Sequence, residues 1–253
     1  MGNYVVESKE ILQPINDEES NHRFSLWYHP IYTNGIHPDA RFPRDRYTKL
    51  VDKLETPEYS NNFLIQQPTE ASRDDLILAH DQCYVDNFLN QNLTEKEIKR
   101  IGLTPWTPQI VPRTLLLMGG AIAALDHVMK HGGIAGNMAG GTHHAHHDFG
   151  SGYCIFNDLA VCSVLALSKY DVTKIAVVDF DVHQGDGTAT ILQNVDKVLT
   201  ISVHCRQNFP FRKSESDYDL ELPANSGDEE MLAMVAKALE IAKQFDPELI
   251  LFQ

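Results

Sequence analysis

The feature that most constrains the fold is a short apolar run at residues 174–182, with the sequence Lys-Ile-Ala-Val-Val-Asp-Phe-Asp-Val. Such a run, rich in β-branched residues, is typical of a strand buried within a parallel sheet. Gly185 and Gly187 follow it and predict a loop at the carboxyl end of the strand. Because open α/β sheets bind ligands at the carboxyl ends of their strands, a functional site is expected there.

Three polar residues, Asp179, Asp181 and His183, occupy alternate positions at the end of this run. Alternate residues of a strand point to the same side, so the three side chains are expected to converge. Two buried carboxylates are costly unless a cation or donors compensate them, and carboxylate and imidazole are ordinary zinc ligands. The pattern therefore favours a metal site. The alternative is that the aspartates cap the loop and His183 is a structural histidine.

A second segment, Gly-Gly-Thr-His-His at residues 140–144, follows another predicted strand at 134–138. The glycines predict a tight turn from which His143 and His144 project into the same crevice. Two neighbouring imidazoles with different carboxylate partners can hold different pKa values, as acid and base roles require. Asp179 and Asp186 are the candidate partners. The alternative is a solvated histidine-rich tract with incidental metal affinity, formed by His143, His144, His146 and His147.

Strand and helix patterns alternate from residue 134 onward. Helices are predicted at 76–89, at 112–130, from Asn157 or Asp158 to about 169, and at 229–245 with Ser226 or Asp228 as cap. Further strands are predicted at 198–204 and 248–253. This alternation indicates a doubly wound, mainly parallel sheet with helices on both faces. Residues 1–22 are polar and are interpreted as a leader, and residues 23–253 as one domain.

Composition narrows the classes of partner and the compartment. A net charge of −14 argues against direct nucleic-acid binding, and an acidic rim would attract a lysine-rich substrate, although ordinary solubility also explains the charge. The four cysteines form no Cys-x-x-Cys pair and the start of the chain is polar, which predicts a reduced intracellular, cytoplasmic location, or a nuclear one in a eukaryote. No apolar run approaches the roughly 20 residues of a membrane span.

Three motifs together resemble the zinc-dependent histone deacetylase superfamily, closest to its class IV-like and bacterial branch. They are residues 140–144, residues 151–154 with 156–158, and residues 179–187. The likeness extends to residues 28–30, 41–43, 101–106 and 208–213, and covers residues 24–253. The resemblance implies the arginase/deacetylase fold and a deacylase that hydrolyses the amide of acetyl-lysine or a related acyl-amine.

The resemblance also implies roles for individual residues. Asp181 and His183 would bind Zn²⁺. His144 would be the general base that deprotonates the zinc-bound water, with Asp186 oriented toward it. His143, paired with its own carboxylate Asp179, would assist electrostatically.

Two further sites are implied by the same resemblance. Gly152, Tyr153 and Phe209 would line a narrow tunnel for an acyl-lysine side chain, although many relatives have Phe where this chain has Tyr153. A monovalent cation, K⁺, would be held behind the zinc by side-chain and backbone oxygens of Asp179, Asp181, His183, Ser202 and Val203.

Two parts of the family pattern lie outside this sequence. They are a third zinc ligand, an aspartate shortly after the strand at 248–253, and a distant tyrosine that polarises the substrate carbonyl. We therefore interpret the chain as incomplete at its carboxyl end and expect residues 1–253 to retain zinc weakly and turn over little. Two alternatives remain open: a catalytically inactive binding protein, and an arginase-like metal ureohydrolase, which would need a histidine between flanking aspartates.

Overall fold

A computed structural model describes residues 3–7 and 23–253 as one eight-stranded sheet flanked by helices. The strands are β1 (Asn3–Glu7), β2 (Phe24–Trp27), β3 (Phe63–Gln66), β4 (Ile134–Asn137), β5 (Ile175–Asp179), β6 (Val198–Cys205), β7 (Tyr218–Leu222) and β8 (Leu249–Phe252). The helices are α1 (Ile31–Asn34), α2 (Arg46–Leu54), α3 (Arg73–Leu76), α4 (Gln82–Leu89), α5 (Glu95–Ile101), α6 (Ile110–His131), α7 (Asp158–Lys169), α8 (Asp186–Leu192) and α9 (Asp228–Phe245).

The strand order is β3-β2-β4-β1-β8-β5-β6-β7. Every neighbouring pair is parallel except those of β1, which runs antiparallel to both β4 and β8. Helices cover both faces of the sheet. Alternate residues of β5 point to opposite faces, and Val177 packs with α6 and α7 whereas Val178 packs with α9. The predicted doubly wound, mainly parallel fold is confirmed.

Strand β1 corrects part of the predicted polar leader. Residues 3–7 lie within that range, yet their backbone pairs with two strands, as Tyr4 does with Gly136 and Phe252. A five-residue segment carries little local signal, and pairing partners elsewhere in the chain decide whether it becomes a strand. The rest of the predicted leader lies outside the described residues.

Two elements are shorter in the structure than the sequence predicts. The strand predicted at 174–182 ends at Asp179, because the Asp179 carboxylate accepts a hydrogen bond from the backbone of Asp181 and turns the chain (2.9 Å). Of the helix predicted at 76–89, only Gln82–Leu89 forms, as α4, and Leu76 is the last residue of α3. Asp81 begins α4 by accepting a hydrogen bond from the backbone N–H of Tyr84 (2.9 Å).

The ends of α7 agree with the prediction, and α6 extends one or two residues beyond the predicted range at each end. Asn157 caps α7 by accepting from Ala160 N (2.9 Å), and α6 ends at His131, before Gly132, whose φ is 71°. In α9 the cap is Gly227 rather than Ser226 or Asp228. Its backbone N–H donates to the Glu230 carboxylate (2.9 Å), which fixes the first turn without a capping side chain. Across the described residues, no helix combines the length and apolar character needed to cross a bilayer.

Helix α6 approaches the loop before α3 closely at Gly119. A β-carbon at this position would lie 1.7 Å from the carbonyl oxygen of Thr69 and 3.0 Å from the backbone nitrogen of Ala71. Backbone atoms on both sides leave no flexible group that can move away. Only glycine fits here.

We predict that Gly119→Ala destabilises the protein by about 2 kcal/mol, the typical cost of overpacking a core. Helix propensity alone would make the same change stabilising by about 1 kcal/mol, so the sign of the effect separates the two contributions. Urea unfolding followed by circular dichroism measures the free energy of unfolding. A more stable variant would show that the α6 contact is looser than described.

Candidate active site

One cavity of about 800 Å³ gathers most of the predicted site residues. It opens where the loops after β4 and β5 meet at the carboxyl edge of the sheet. The predicted residues that line it are His143, His144, Gly152, Tyr153, Asp181, His183 and Phe209. Asp179 and Asp186 lie behind them, bonded to the two histidines.

His143 is paired with Asp179. The His143 Nδ1 lies 2.6 Å from Asp179 Oδ2, and both side chains are buried. Burial opposes the charged imidazolium, but the negative charge of Asp179 and its hydrogen bond outweigh that effect and raise the pKa of His143. This imidazole is therefore the one of the pair that is suited to carry positive charge.

His144 lies directly beside it, with ring centroids 4.0 Å apart, and is paired with Asp186 (Nδ1 to Oδ1, 2.7 Å). Here burial and the charge of His143 outweigh the hydrogen bond to Asp186, so the pKa of His144 is lowered. The neutral form of His144 follows, with Nδ1–H donating to Asp186 and Nε2 left as an acceptor. The pKa values of the two neighbouring imidazoles are thus shifted in opposite directions because their surroundings differ.

Asp181 and His183 lie in the loop after β5, held by consecutive turns of the backbone. The Asp181 carboxylate accepts a hydrogen bond from the backbone N–H of His183 (2.8 Å) and lies 3.0 Å from His183 Nδ1. Burial raises the pKa of Asp181, but the bonds from His183 and the charge of His143 outweigh burial and lower it. The pair presents one carboxylate and one imidazole to the cavity. Within the described residues, no cluster of three or more His, Cys, Asp or Glu side chains able to hold a metal is found.

Three residues of the predicted K⁺ site are neighbours in the sheet. Asp179 of β5 stands opposite Ser202 of β6 in the pairing register, and Val203 follows Ser202. The Ser202 hydroxyl is hydrogen-bonded to His204 Nδ1 (3.0 Å). The other two residues, Asp181 and His183, lie in the loop that follows β5.

Aromatic rings and a glycine form the wall of the cavity beside His144. Gly152 packs against the His144 imidazole and the Phe209 ring, and the Phe209 ring centroid lies 4.8 Å from that of His144. Tyr153, with φ of 69°, contacts Phe42 at 5.4 Å. Gly152, Phe209 and Tyr153 therefore lie in the wall of the cavity that contains the histidines.

His146 is a site residue that the sequence analysis assigned only to a histidine-rich tract. Its Nε2 lies 3.0 Å from Asp186 Oδ2, the oxygen that His144 does not use. Its Nδ1 contacts the Thr190 hydroxyl (2.9 Å), and its ring stacks on Phe149 at 4.4 Å. Asp186 is therefore fixed by two imidazoles. The available signal was the spacing of His146 two residues after His144, but only the fold brings both to one carboxylate.

The charge around the cavity differs from the predicted acidic rim. Its lining contains five basic residues and one acidic residue, Asp181. The basic residues are Arg41, Arg46, Lys99, Arg100 and Arg113. A net charge of −14 does not determine where individual charges are placed on the fold.

Comparisons with known proteins identify one protein family. The family model described as the histone deacetylase domain matches residues 40–253. An uncharacterized protein of Picosynechococcus sp. is 40% identical over 230 residues, which are 90% of this chain and 76% of that protein. Histone deacetylase 2 of Arabidopsis thaliana is 26% identical over 86% of this chain, and the acetoin utilization protein AcuC of Bacillus subtilis is 29% identical over 89%. The matches span 57% and 64% of those two proteins.

A solved structure shares the fold. The crystal structure of the HDA15 HD domain matches with a TM-score of 0.72 and 20% identity, over 91% of this chain and 71% of that one. At that identity the match establishes the architecture alone. It is the arrangement of a deacetylase domain, as the sequence resemblance implied.

The shared carboxylate predicts opposite effects of two substitutions on the pKa of His144. Asp186→Asn removes the negative charge that raises it, so the pKa falls further. His146→Ala removes a competing donor from Asp186, so the pKa rises. NMR titration of the imidazole resonances measures both, with His147→Ala as the control, because His147 bonds the Ala79 carbonyl instead. Equal shifts in the two histidine variants would contradict the shared role of Asp186.

Proposed function

This chain belongs to the histone deacetylase domain family of deacetylase-type hydrolases, and we propose that it is a zinc-dependent deacylase acting on acetyl-lysine or a related acyl-amine. The observation that carries the proposal is the pair of buried imidazoles, each bonded to its own carboxylate, beside Asp181 and His183 in one cavity. A general base, a charged partner and metal-ligand chemistry are the parts that amide hydrolysis requires.

Asp181 and His183 would hold the zinc ion. Their oxygen and nitrogen donors are 3.0 Å apart and are of the types that zinc prefers. The depressed pKa of Asp181 keeps its carboxylate ionised, as a ligand must be. When bound, zinc lowers the pKa of water to about 7 and polarises a carbonyl oxygen.

In this proposal His144 is the general base. Its Nδ1–H donates to Asp186, which fixes the tautomer and leaves Nε2 to accept a proton from the attacking water. His144 then returns that proton to the leaving amine. His143, kept positive by Asp179, favours the negative charge that develops on the substrate carbonyl oxygen.

The remaining assignments concern the walls of the site and its setting. Gly152, Tyr153 and Phe209 would enclose the acyl-lysine side chain and exclude water. Asp179, Asp181, His183, Ser202 and Val203 would hold K⁺ behind the zinc. An intracellular, cytoplasmic location is proposed as well, in keeping with four cysteines that are all free.

A second candidate is a binding protein that keeps the pocket without catalysis. The observation that favours it is that, among the residues described, only a pair rather than a trio of metal-ligating side chains is gathered. Turnover by the purified chain decides between the two. The arginase-like alternative predicts a two-manganese content, which metal analysis separates from a single zinc.

We predict that His144→Ala lowers the turnover that the zinc-loaded chain shows by about 10²- to 10⁴-fold, the usual contribution of a general base, without weakening its affinity for zinc. The base must be neutral, and its pKa lies below the usual 6.5, so activity should be constant near pH 7 and fall as the pH drops through that pKa. Hydrolysis of an acetyl-lysine peptide against pH measures this, with Lys49→Ala as a surface control. Loss of zinc from His144→Ala would mean that the base and a ligand are exchanged.

Asp181→Ala should weaken zinc binding further. One imidazole, His183, would remain of the pair, and a single protein ligand binds the ion more weakly than two. Zinc titration against a competing chromogenic chelator, with the unsubstituted chain as reference, measures the two affinities. An unchanged zinc affinity in the Asp181→Ala variant would rule out the coordination proposed here.

A further inference from the structure

Basic residues flank the tunnel wall on both sides. On one side Arg46 stacks over Phe42 (4.6 Å), whose ring contacts Tyr153. On the other side the Tyr153 backbone N–H donates to Ile101 O (2.7 Å) at the end of α5, directly after Lys99 and Arg100. The wall of the cavity that Tyr153 forms therefore carries cations on both flanks.

Among the described residues, some basic side chains are ion-paired with a carboxylate, whereas the cations at this cavity are not. Arg73, Lys169 and Arg206 are each ion-paired, with Asp86, Asp126 and Glu221 at 2.6 to 3.0 Å. In the described part of the chain, the four exposed cations of the cavity make no such pair with a carboxylate. They are Arg41, Arg46, Lys99 and Arg100.

Two acidic side chains that are near these cations in sequence are engaged in other bonds. Glu97, one turn before Arg100, accepts from the backbone and hydroxyl of Thr94 (2.7 and 2.6 Å) and caps α5. Asp45, beside Arg46, lies 3.7 Å from Arg44. Four positive charges therefore face the mouth of the cavity in a protein whose net charge is −14. That placement favours an anionic ligand over a lysine-rich one.

We infer that this site selects an acyl-amine that carries carboxylate groups close to the acylated nitrogen. The inference rests on the proposed function, since the acyl-amine itself is what the tunnel would hold. The carboxylates would belong either to acidic residues flanking an acyl-lysine in a peptide or to a small acylated amino acid. In both cases they lie outside the tunnel, within reach of Arg41, Arg46, Lys99 and Arg100.

The test is a binding measurement with fluorescent peptides of equal length. Each contains one central acetyl-lysine, with flanks of glutamate, glutamine or lysine, and fluorescence anisotropy gives the Kd with the zinc-loaded chain. One exposed ion pair changes affinity by at most about five-fold, so two or more should make the glutamate peptide bind about ten-fold tighter than the lysine peptide. Because salt screens exposed charges beyond about 8 Å at physiological strength, the difference should shrink in high salt.

Two double variants distinguish the effect of the charges that line the cavity from the effect of the net charge of the chain. Arg41→Glu with Lys99→Glu should abolish or reverse the preference. Lys49→Glu with Lys96→Glu changes the net charge equally, on exposed positions of α2 and α5 that do not line the cavity, and should retain it. Thermal unfolding of each variant confirms that it folds.

Three results would overturn the inference: equal or tighter binding of the lysine peptide, equal effects of the two double variants, and equal binding of the glutamate peptide without its acetyl group. Competition by free acetyl-lysine, compared with its carboxamide, shows whether a small molecule supplies the carboxylate. Peptide hydrolysis is a separate readout. An acidic preference without turnover would contradict the proposed catalysis and leave this selectivity standing.

Discussion

The Asp179 carboxylate is the group on which the geometry of the site depends. One of its oxygens contacts the His143 imidazole (2.6 Å), and the other accepts the backbone N–H of Asp181 (2.9 Å). A single buried side chain therefore ends strand β5, starts the loop that carries Asp181 and His183, and fixes one of the two histidines. The sheet supports this position because β5 lies between β6 and β8 and is buried along its length.

The difference between the two histidines follows from what surrounds them. Both are buried, and burial alone would keep both neutral. For His143 the charge and hydrogen bond of Asp179 overcome burial, whereas for His144 the positive neighbour adds to it. Once one imidazole is charged, the other is held neutral only about 4 Å away, since like charges at that distance repel. This asymmetry is what an acid–base pair needs.

A second carboxylate, Asp186, is hydrogen-bonded to two imidazoles. His144 contacts one of its oxygens and His146 the other, and burial, which would raise the pKa of Asp186, is outweighed by these bonds, which lower it to about 2. An ionised acceptor fixes the orientation of His144 more firmly than a neutral one. Four exposed basic residues, Arg41, Arg46, Lys99 and Arg100, line the same cavity. Carboxylates therefore lie behind the two histidines, and cations line the wall of the cavity in front of them.

The sequence by itself determined the parallel sheet, the strand that carries Asp179 and the pairing of neighbouring histidines with carboxylates, because hydrophobic patterning and motif order are local properties. Only the tertiary structure decided three things: that residues 3–7 form a strand, that His146 is hydrogen-bonded to Asp186, and that several cations line the same cavity. Each of these depends on groups distant in the chain. The backbone partners of β1 lie 128 or more residues away, and the charge of a rim depends on which residues the fold brings together, which composition cannot specify.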